Sequence, residues 1–515
     1  MISSELPLIS MVGTDSDKDQ VIRPAEDNKL LIELKDIRLN MRDYCRNDLQ
    51  DPTEIQNVLP RGKNNRTEIQ RVPKIMLRNV DFIEHFKPRE LSIGPIHAGT
   101  RNMSQRRLKL QLAAHFILES GKTEEFLFDK LKIEIKDDVK TYFNNDVIRR
   151  QKEEPLIRML FLDGCAMLGF IHSYVNQRLN VFDISDGQAA LIQQDLFLLE
   201  NQIPFTVLDV LMGLGREWEN EDLKDDFLNF IFHVSNITFP RDSMEHLHEY
   251  FDDRLSSKRK SHKPVHILDL LREVFLFDSW FYPIESVLTL VRYTFFCLVC
   301  FCGAVVLISC VMKRFSKSLC LPTYLSKTKQ SFRTVQELKA AGIKFKPSDS
   351  LTAISFHSQF FITAKLMLPT LVVDDSTECK LFNLVAYEMC LSESHPNQKP
   401  WVTSYVKLLV LLVDGEQDVK DLRVADILRH SLSRDIDAAK LINSIGSKCF
   451  APPKDAYAGV KKKIEKHYRR KCATWVAQAY HAHFSSPWTI LALFAATTIL
   501  VLTAIQTWYS MNPKM

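Results

Sequence analysis

The spacing of hydrophobic and polar residues predicts a chain made mostly of helices. Apolar residues recur every three to four positions from Leu108 to Ile117 and from Phe126 to Ile135, the period of an amphipathic helix. Met159–Val175 is apolar on nearly all sides and predicts a central buried helix. The pattern predicts further helices at Asp195–Leu211 (bent at Pro204), Phe227–Phe232, Ile267–Phe277, Asp375–Cys390, Tyr405–Val413 and Asp418–Leu432.

The residue composition changes after Gly342, where short segments are rich in β-branched and aromatic residues. Ile354–Phe356, Phe360–Leu366 and Thr370–Val373 are typical of short strands. The predicted fold class is therefore mainly α: a helical body with a small β element in the C-terminal half, plus a C-terminal transmembrane helix.

The transmembrane prediction depends on Trp488–Tyr509, which contains no charged residue. A helix of this length spans about 33 Å, enough for the hydrocarbon core of a bilayer. Trp488 at one end and Trp508 and Tyr509 at the other are typical interfacial anchors. The alternative is a buried core helix, but core helices seldom lack charge over so many residues.

A cluster of positive charges precedes the apolar run and indicates the orientation of the predicted transmembrane helix. It consists of Lys461, Lys462, Lys463, Lys466, Arg469, Arg470 and Lys471. The positive-inside rule places this flank, and the long chain before it, in the cytoplasm. Near an anionic leaflet each such charge contributes about 1 kcal/mol of attraction. The alternative is a merely solvated helix face.

A second uncharged run, Tyr293–Met312, is as apolar as the C-terminal one. If it also spans, the chain before it must cross the membrane without an export signal. Three interpretations stay open: a true second span, a buried or interfacial helix, and an insertion foreign to the fold.

Composition narrows the function classes. The 67 basic and 63 acidic residues nearly balance, which argues against nucleic acid as a partner. Eleven cysteines without regular spacing are typical of reduced thiols in a cytosolic body. We predict five regions: 1–68, polar and largely disordered; 69–285, an N-terminal helical half; 286–330, a variable linker; 331–480, a C-terminal half with the β element; and 487–509, the transmembrane helix.

The densest acidic group is Asp374, Asp375 and Glu378. Such a group can bind a divalent metal ion or act as an acid/base pair. The D-x-x-E spacing favours a capping box instead, with Asp375 at the helix N-cap and Glu378 three residues later.

Other candidates for chemistry are weaker. His246 with His248, and His481 with His483, are spaced two apart and so do not share a helix face. Cys297, Cys300 and Cys302 lie in an apolar run and favour plain packing. Glu200, Asn201 and Gln202 favour helix-end hydrogen bonding before Pro204. We therefore predict no catalytic residue, no metal site, no cofactor and no small-molecule substrate.

A series of short motifs follows in order along the chain: Arg71-Val-Pro73, Ser92-Ile-Gly-Pro95 with Gly99, Asp163-Gly-Cys165, Asp195-Leu-Phe-Leu-Leu-Glu-Asn-Gln-Ile-Pro-Phe205, Glu337–Phe345, Pro369, Asp374–Thr377, Asn383–Glu388, Thr403-Ser-Tyr405, Pro487-Trp488, Gln506-Thr507 and Tyr509. Over roughly residues 69 to 510, these motifs resemble those of one plant family, the "domain of unknown function two-four-seven" proteins.

The resemblance implies a mostly helical body tethered by one C-terminal helix, with no established enzymatic activity. Some grass members are implicated in self-incompatibility as pollen-side determinants. Two departures from the family pattern stand out. Ile96-His97-Ala98-Gly99 lacks one of the family's paired histidines, which puts a metal role there in doubt, and Tyr293–Met312 lies where the family tends to have a polar linker.

These observations predict a recognition or signalling protein held at a membrane, expected to be the plasma membrane, with membrane lipid and an unidentified protein as partners. A self-incompatibility determinant is one form of this hypothesis. The alternatives are an unrecognised hydrolase or metal-dependent enzyme using the acidic cluster, and a two-span transport subunit.

Overall fold

A computed structural model describes the following residues: 68–78, 83–98, 103–143, 152–215, 223–237, 241–256, 263–277, 333–359, 363–395, 397–448, 454–468, and eight positions between 495 and 507. The predicted disordered region (but for Glu68), the linker and the second apolar run lie outside the described residues.

The N-terminal half is helical and is built around one long apolar helix. Its helices are α1 (Met103–Glu119), α2 (Glu124–Ile135), α3 (Glu153–Val175), α4 (Asp186–Leu196), α5 (Phe205–Leu214), α6 (Leu223–Val234), α7 (Arg241–Ser256) and α8 (Ile267–Leu276). Helix α3 packs against α1, α2, α5 and α6. Short 3₁₀ turns occur at Met76–Arg78, Glu84–Phe86, Val139–Tyr142 and Leu179–Phe182.

The C-terminal half combines helices with two small sheets. Its elements, in order, are α9 (Val335–Ala340), β1 (Ile343–Ser348), β2 (Ser355–Gln359), β3 (Thr363–Pro369), β4 (Leu371–Val373), α10 (Thr377–Ser394), α11 (Trp401–Leu412), α12 (Glu416–Val424), β5 (Leu428–His430), α13 (Asp435–Lys448) and α14 (Ala458–Tyr468). Helix α14 packs against β2, and α12 packs against α13.

The larger sheet has the order β1-β3-β2, with β3 parallel to β1 and antiparallel to β2. Its inner face carries Ile343, Phe356, Ala364 and Leu366, all buried, whereas alternate residues face solvent. The smaller sheet pairs β4 with β5 in parallel.

The two halves share one hydrophobic core. Helix α8 packs against α10 and α11, and the backbone N–H of Leu351 donates to the carbonyl of Phe275 at 3.1 Å. Ile237, three residues after the end of α6, forms an isolated bridge to Leu371 of β4. Burial of apolar side chains across this junction therefore stabilises both halves together.

The predicted helical body and C-terminal β element are confirmed, with two corrections. The predicted helix Asp195–Leu211 is wrong, because residues 197–204 form a loop between α4 and α5, and Pro204 is the N-cap of α5. The predicted helix Asp418–Leu432 ends at Val424, since Leu428–His430 pairs with β4 as β5.

Within the described residues, one helix is long and apolar enough to cross a bilayer, and it is α3 rather than the C-terminal run. Of its most apolar 18-residue stretch, 83% is buried in the protein, so α3 is the predicted core helix. Most of the C-terminal run lies outside the described residues, and the transmembrane helix stays a prediction.

Candidate functional site

The acidic cluster does not converge on one point. The Asp374 carboxylate accepts from the Ser376 backbone N–H at 2.9 Å, from the Ser376 and Thr377 hydroxyls, and from Asn236 Nδ2 at 2.9 Å. Burial alone raises the pKa of Asp374, but the Lys380 ammonium and these hydrogen bonds outweigh it and hold the pKa below its usual value. Asp374 is therefore an ionised structural group.

The predicted capping box differs from what the structure contains. The N-cap of α10 is Ser376, whose side chain makes no capping hydrogen bond, and the accepting carboxylate is Asp374 rather than Asp375. Asp375 is exposed, and Glu378 accepts from the Ser444 hydroxyl at 3.2 Å. The chain leaves β4 directly before Asp374, so this carboxylate and not the next one faces the first turn of α10.

Lys380 is a buried cation beside this cap. Its Nζ donates to the backbone carbonyl of Val234 and to Asn236 Oδ1, both at 2.6 Å. Burial lowers its pKa to about 8, although Asp374 and Cys379 act in the opposite direction. Lys380 therefore joins α10 to the end of α6 and is closed to solvent.

Asp195, at the end of α4, holds an extended segment of the chain. Its carboxylate accepts the backbone N–H groups of Arg89, Glu90 and Leu91 at 2.7 to 3.1 Å. Burial raises the pKa of Asp195 to about 6, against the lowering effect of these three amides. Residues 89–91 thus obtain from one side chain the hydrogen bonds that a sheet would otherwise give them.

Glu200 and Asn201, which the sequence places at a helix end, instead form hydrogen bonds with distant N-terminal residues. Asn201 Oδ1 accepts from the Ile93 N–H at 2.7 Å, and its Nδ2 donates to the Leu91 carbonyl at 2.9 Å. Glu200 Oε1 accepts from the Val72 N–H at 2.9 Å. These contacts cross more than 100 positions of sequence, so local spacing could not have revealed them.

Gln202 and Gly94 complete the contact between the two segments. Gln202 Nε2 donates to the carbonyls of Leu196 and Leu198, both at 2.8 Å. Gly94 has a φ of +70°, and a Cβ added there would lie 2.4 Å from the Gln202 carbonyl oxygen. Glycine is required at this position by both backbone conformation and space.

A buried ion pair supports the same segment from the other side. Asp163 on α3 accepts the Gly94 N–H at 2.7 Å and pairs with the ammonium of Lys109 on α1. We call residues 89–94 with Asp163, Asp195, Asn201 and Gln202 the motif clamp. The side chains of Asp163, Asp195, Asn201 and Gln202 all form hydrogen bonds with backbone groups of the protein itself.

Helix α10 carries a second buried ion pair. Glu388 accepts from Arg272 Nε on α8 at 3.1 Å, and from the Val402 and Thr403 N–H groups at the start of α11. Neither charged side chain is more than 5% exposed. This pair ties α8, α10 and α11 together.

The predicted basic cluster begins on α14, which has one buried and one exposed face. Ile464 and His467 pack inward, and the Lys461 ammonium pairs with Asp455 at 2.8 Å. Lys462, Lys463 and Lys466 are exposed; Arg469, Arg470 and Lys471 lie outside the described residues.

An open recess of about 250 Å³ lies where α14 meets β2. It is lined by Phe356, Ser358, Lys463, Lys466 and His467. The Ser358 hydroxyl contacts His467 Nδ1 at 3.3 Å. Two ammonium groups beside a hydroxyl suit an anion such as a phosphate group.

The described part of the C-terminal run is helical and exposed. Ile499, Leu500 and Leu502 are 63%, 68% and 55% exposed. The hydroxyls of Thr503 and Thr507 donate to carbonyls four residues earlier, at 2.7 and 2.8 Å. The predicted anchors Trp488, Trp508 and Tyr509 lie outside the described residues.

Among the described residues, no group of three or more His, Cys, Asp or Glu side chains could hold a metal ion. His248 contacts Asn229 Oδ1 at 3.1 Å, and His97 lies 3.9 Å from Glu200. The His246 side chain, the later histidine pair and the cysteines of the internal run lie outside the described side chains. Three described cysteines, Cys165, Cys379 and Cys390, are buried and form no disulfide bond.

Comparisons with known proteins agree with the motifs. The model of a plant family of unknown function, DUF247, matches residues 69–502. The chain is 25% identical over 434 residues to UPF0481 protein At3g47200 of Arabidopsis thaliana, covering 82% of each chain. It is 27% identical over 176 residues to a second UPF0481 protein of that plant, At3g02645, covering 34% of this chain and 32% of that one. No solved structure matches. The chain belongs to the DUF247 family of plant proteins.

Proposed function

We propose that this protein is a recognition or signalling protein tethered to a membrane by its C-terminal apolar helix, with the folded body in the cytoplasm. The observation that carries the proposal is the exposed apolar surface of the described C-terminal residues. Large apolar side chains exposed together on one helix in water are unfavourable, and lipid is the environment that makes them favourable.

The threonine hydroxyls of this helix support the same proposal. Thr503 and Thr507 each donate to the carbonyl four residues earlier, so their polar atoms are satisfied within the helix. This arrangement suits a helix surrounded by hydrocarbon, where no water can accept a hydrogen bond.

Helix α14 supports an interfacial position for the end of the body. Its three exposed lysines, Lys462, Lys463 and Lys466, precede the apolar run by about two dozen residues. An anionic leaflet attracts such lysines, and the recess beside β2 suits a lipid phosphate.

The interior of the body supports recognition over catalysis. Asp374 and Lys380 bind groups of the protein itself, and Asp375 and Glu378 point elsewhere. The recess between α10, α11 and α13 is apolar and holds only about 10 Å³, roughly the space for one water molecule. Self-recognition, the process in which some grass relatives are implicated, is the first setting we propose for this activity.

Carbonate extraction of membranes tests the tether. We expect the wild-type chain to stay in the pellet. The L500R/L502R variant should move to the supernatant, because each arginine costs about 2.5–3.5 kcal/mol at the centre of a spanning helix. The matched control is I133R/V424R, which places arginine at two exposed apolar positions of the body.

A wild-type chain in the supernatant would contradict the tether. Affinity capture of the detergent-solubilised protein from its native tissue tests recognition, with D375A/E378A as the comparison. A recognition protein keeps its partner in this variant, whereas loss of a cellular activity with the partner still bound would favour the enzyme alternative.

A further inference from the structure

The solvent-facing side of the three-stranded sheet carries a row of basic side chains. Lys344 of β1 is the register partner of Lys365 of β3, which is in turn the partner of His357 of β2. Lys346 follows two residues after Lys344 and therefore faces the same side. We call Lys344, Lys346, Lys365 and His357 the basic row.

The row has no acidic neighbours on its own sheet. The sequences of β1, β2 and β3 contain three lysines, one histidine and no aspartate or glutamate. Within the described part of the chain, no ion pair joins any of the three lysines to an acidic side chain. Lys344, Lys346 and His357 are exposed, and Lys365 is partly exposed.

The pairing of Lys344 with Lys365 is unfavourable unless an anion lies against it. Neighbouring strands are about 4.8 Å apart, and like charges at paired positions destabilise a sheet. Lysines often protect edge strands from pairing with other chains. That explanation fits β1 but not Lys365, since β3 is the central strand and has no free edge.

The row also lies close to the basic end of the body. It runs across the sheet to the edge strand β2, while α14 packs on the opposite face of that strand, against Phe356 and Ser358. Helix α14 contributes the exposed Lys463 and Lys466 beside β2 and precedes the apolar run in the sequence. A tether at that run holds the sheet near the bilayer at high effective concentration.

We propose that the basic row docks on the anionic lipid head groups of the leaflet to which the protein is tethered. This inference rests on the proposed function, because the tether supplies the proximity. It adds that the sheet, and not only the residues next to the spanning helix, contacts the membrane. The lipid phosphates and carboxylates lie against Lys344 and Lys365 and relieve their repulsion.

The chemical modification of His357 by diethylpyrocarbonate tests the proposal, with the full chain reconstituted in lipid nanodiscs. We expect modification to be at least about fivefold slower in discs containing phosphatidylserine than in discs of phosphatidylcholine alone. Salt at about 0.5 M should remove the protection, because it screens charges over a few ångströms.

Two variants give the test its control. In K344Q/K346Q/K365Q we expect His357 to react at the same rate in both kinds of disc. In K130Q/K136Q/K420Q, which changes three exposed lysines on or directly after helices elsewhere, the protection should persist. Circular dichroism of both variants checks that the sheet is intact, and the wild-type comparison needs no substitution.

Equal His357 rates in both discs for the wild-type chain would overturn the inference and leave the tether standing. Protection by polyglutamate in neutral discs, without protection by phosphatidylserine, would also overturn it and assign the row to an acidic protein. A chain that does not enter either disc would overturn the tether itself.

Discussion

The carboxylate of Asp195 accepts the backbone N–H of Leu91 at 2.8 Å, although the two residues lie 104 positions apart. The same oxygen accepts the Glu90 N–H at 2.7 Å. One side chain at the end of α4 therefore holds the extended segment that leads into the motif Ser92-Ile-Gly-Pro95. Asp195, the first residue of the motif Asp195–Phe205, therefore serves the fold at this point.

Replacing Asp195 with alanine is expected to destabilise the body severely. The D195A variant leaves the buried N–H of Leu91 and the partly buried N–H groups of Arg89 and Glu90 without their acceptor. An unsatisfied buried donor costs about 1–3 kcal/mol. We expect a loss of at least about 3 kcal/mol in the free energy of unfolding, measured by urea denaturation in detergent. D375A, at an exposed position, is the control, and an equal stability of D195A and D375A would refute the clamp.

Gly94 should not tolerate a side chain. In G94A the new Cβ would lie 2.4 Å from the Gln202 carbonyl oxygen, in a backbone conformation with a φ of +70°. We expect a loss of about 3 kcal/mol or more in the free energy of unfolding. In G213A no atom lies within 4 Å of the added Cβ, and alanine favours the helix, so that variant should be neutral or slightly stabilised. Similar unfolding midpoints for the two variants would contradict this geometry.

Lys380 predicts a rise of stability at alkaline pH. Its folded-state pKa of about 8 lies below the value of 10.5 for a solvated lysine. Between these two pH values the unfolded chain binds more protons at Lys380, so this residue by itself raises the free energy of unfolding with pH, by up to about 3 kcal/mol. The buried thiols of Cys165 and Cys379, whose pKa is raised, act in the opposite direction in wild type and variants alike. Urea denaturation at both ends of the window should therefore show K380M losing up to about 3 kcal/mol relative to the wild type as the pH rises, and K420M losing nothing. The same pH dependence in K380M and wild type would contradict the assignment.

The pair of Arg272 and Glu388 gives a further stability prediction. In R272M the Glu388 carboxylate stays buried without its cation, which we expect to cost about 3–5 kcal/mol. In R272M/E388Q both charges are gone while an amide oxygen can still accept from the N–H groups at the start of α11, so part of the loss should be recovered. Thermal unfolding of the two variants measures the difference. The account is contradicted if the substitution of Glu388 lowers the stability of R272M as much as it lowers the stability of the wild-type chain. The two charges would then act independently.

The helices and the C-terminal strands could be predicted because their signals are local. The period of apolar residues from Leu108 to Ile117 falls within α1, and the uniformly apolar run after Met159 became the core helix α3. Strand β5 was missed because its three residues, Leu428–His430, become a strand only by pairing with β4, which lies 57 positions earlier. The local spacing of apolar residues does not predict a strand of this kind.

The loop at residues 197–204 shows the same limit. Apolar residues on either side of it have helical spacing, but Asn201 and Gln202 bind backbone groups of distant segments and hold the chain out of a helix. The basic cluster on α14 could be predicted from its charges alone. The basic row could not, because the register that pairs Lys344 with Lys365 is a property of the folded sheet.

The central claim is that lipid surrounds the C-terminal apolar helix while the body stays in the cytoplasm. Protease protection in sealed microsomes, with one epitope tag at each end of the full chain, tests it most directly. We expect the protease to remove the N-terminal tag and to leave the C-terminal tag intact until detergent opens the vesicles. A protected N-terminal tag, or two tags digested together in sealed vesicles, would contradict the account.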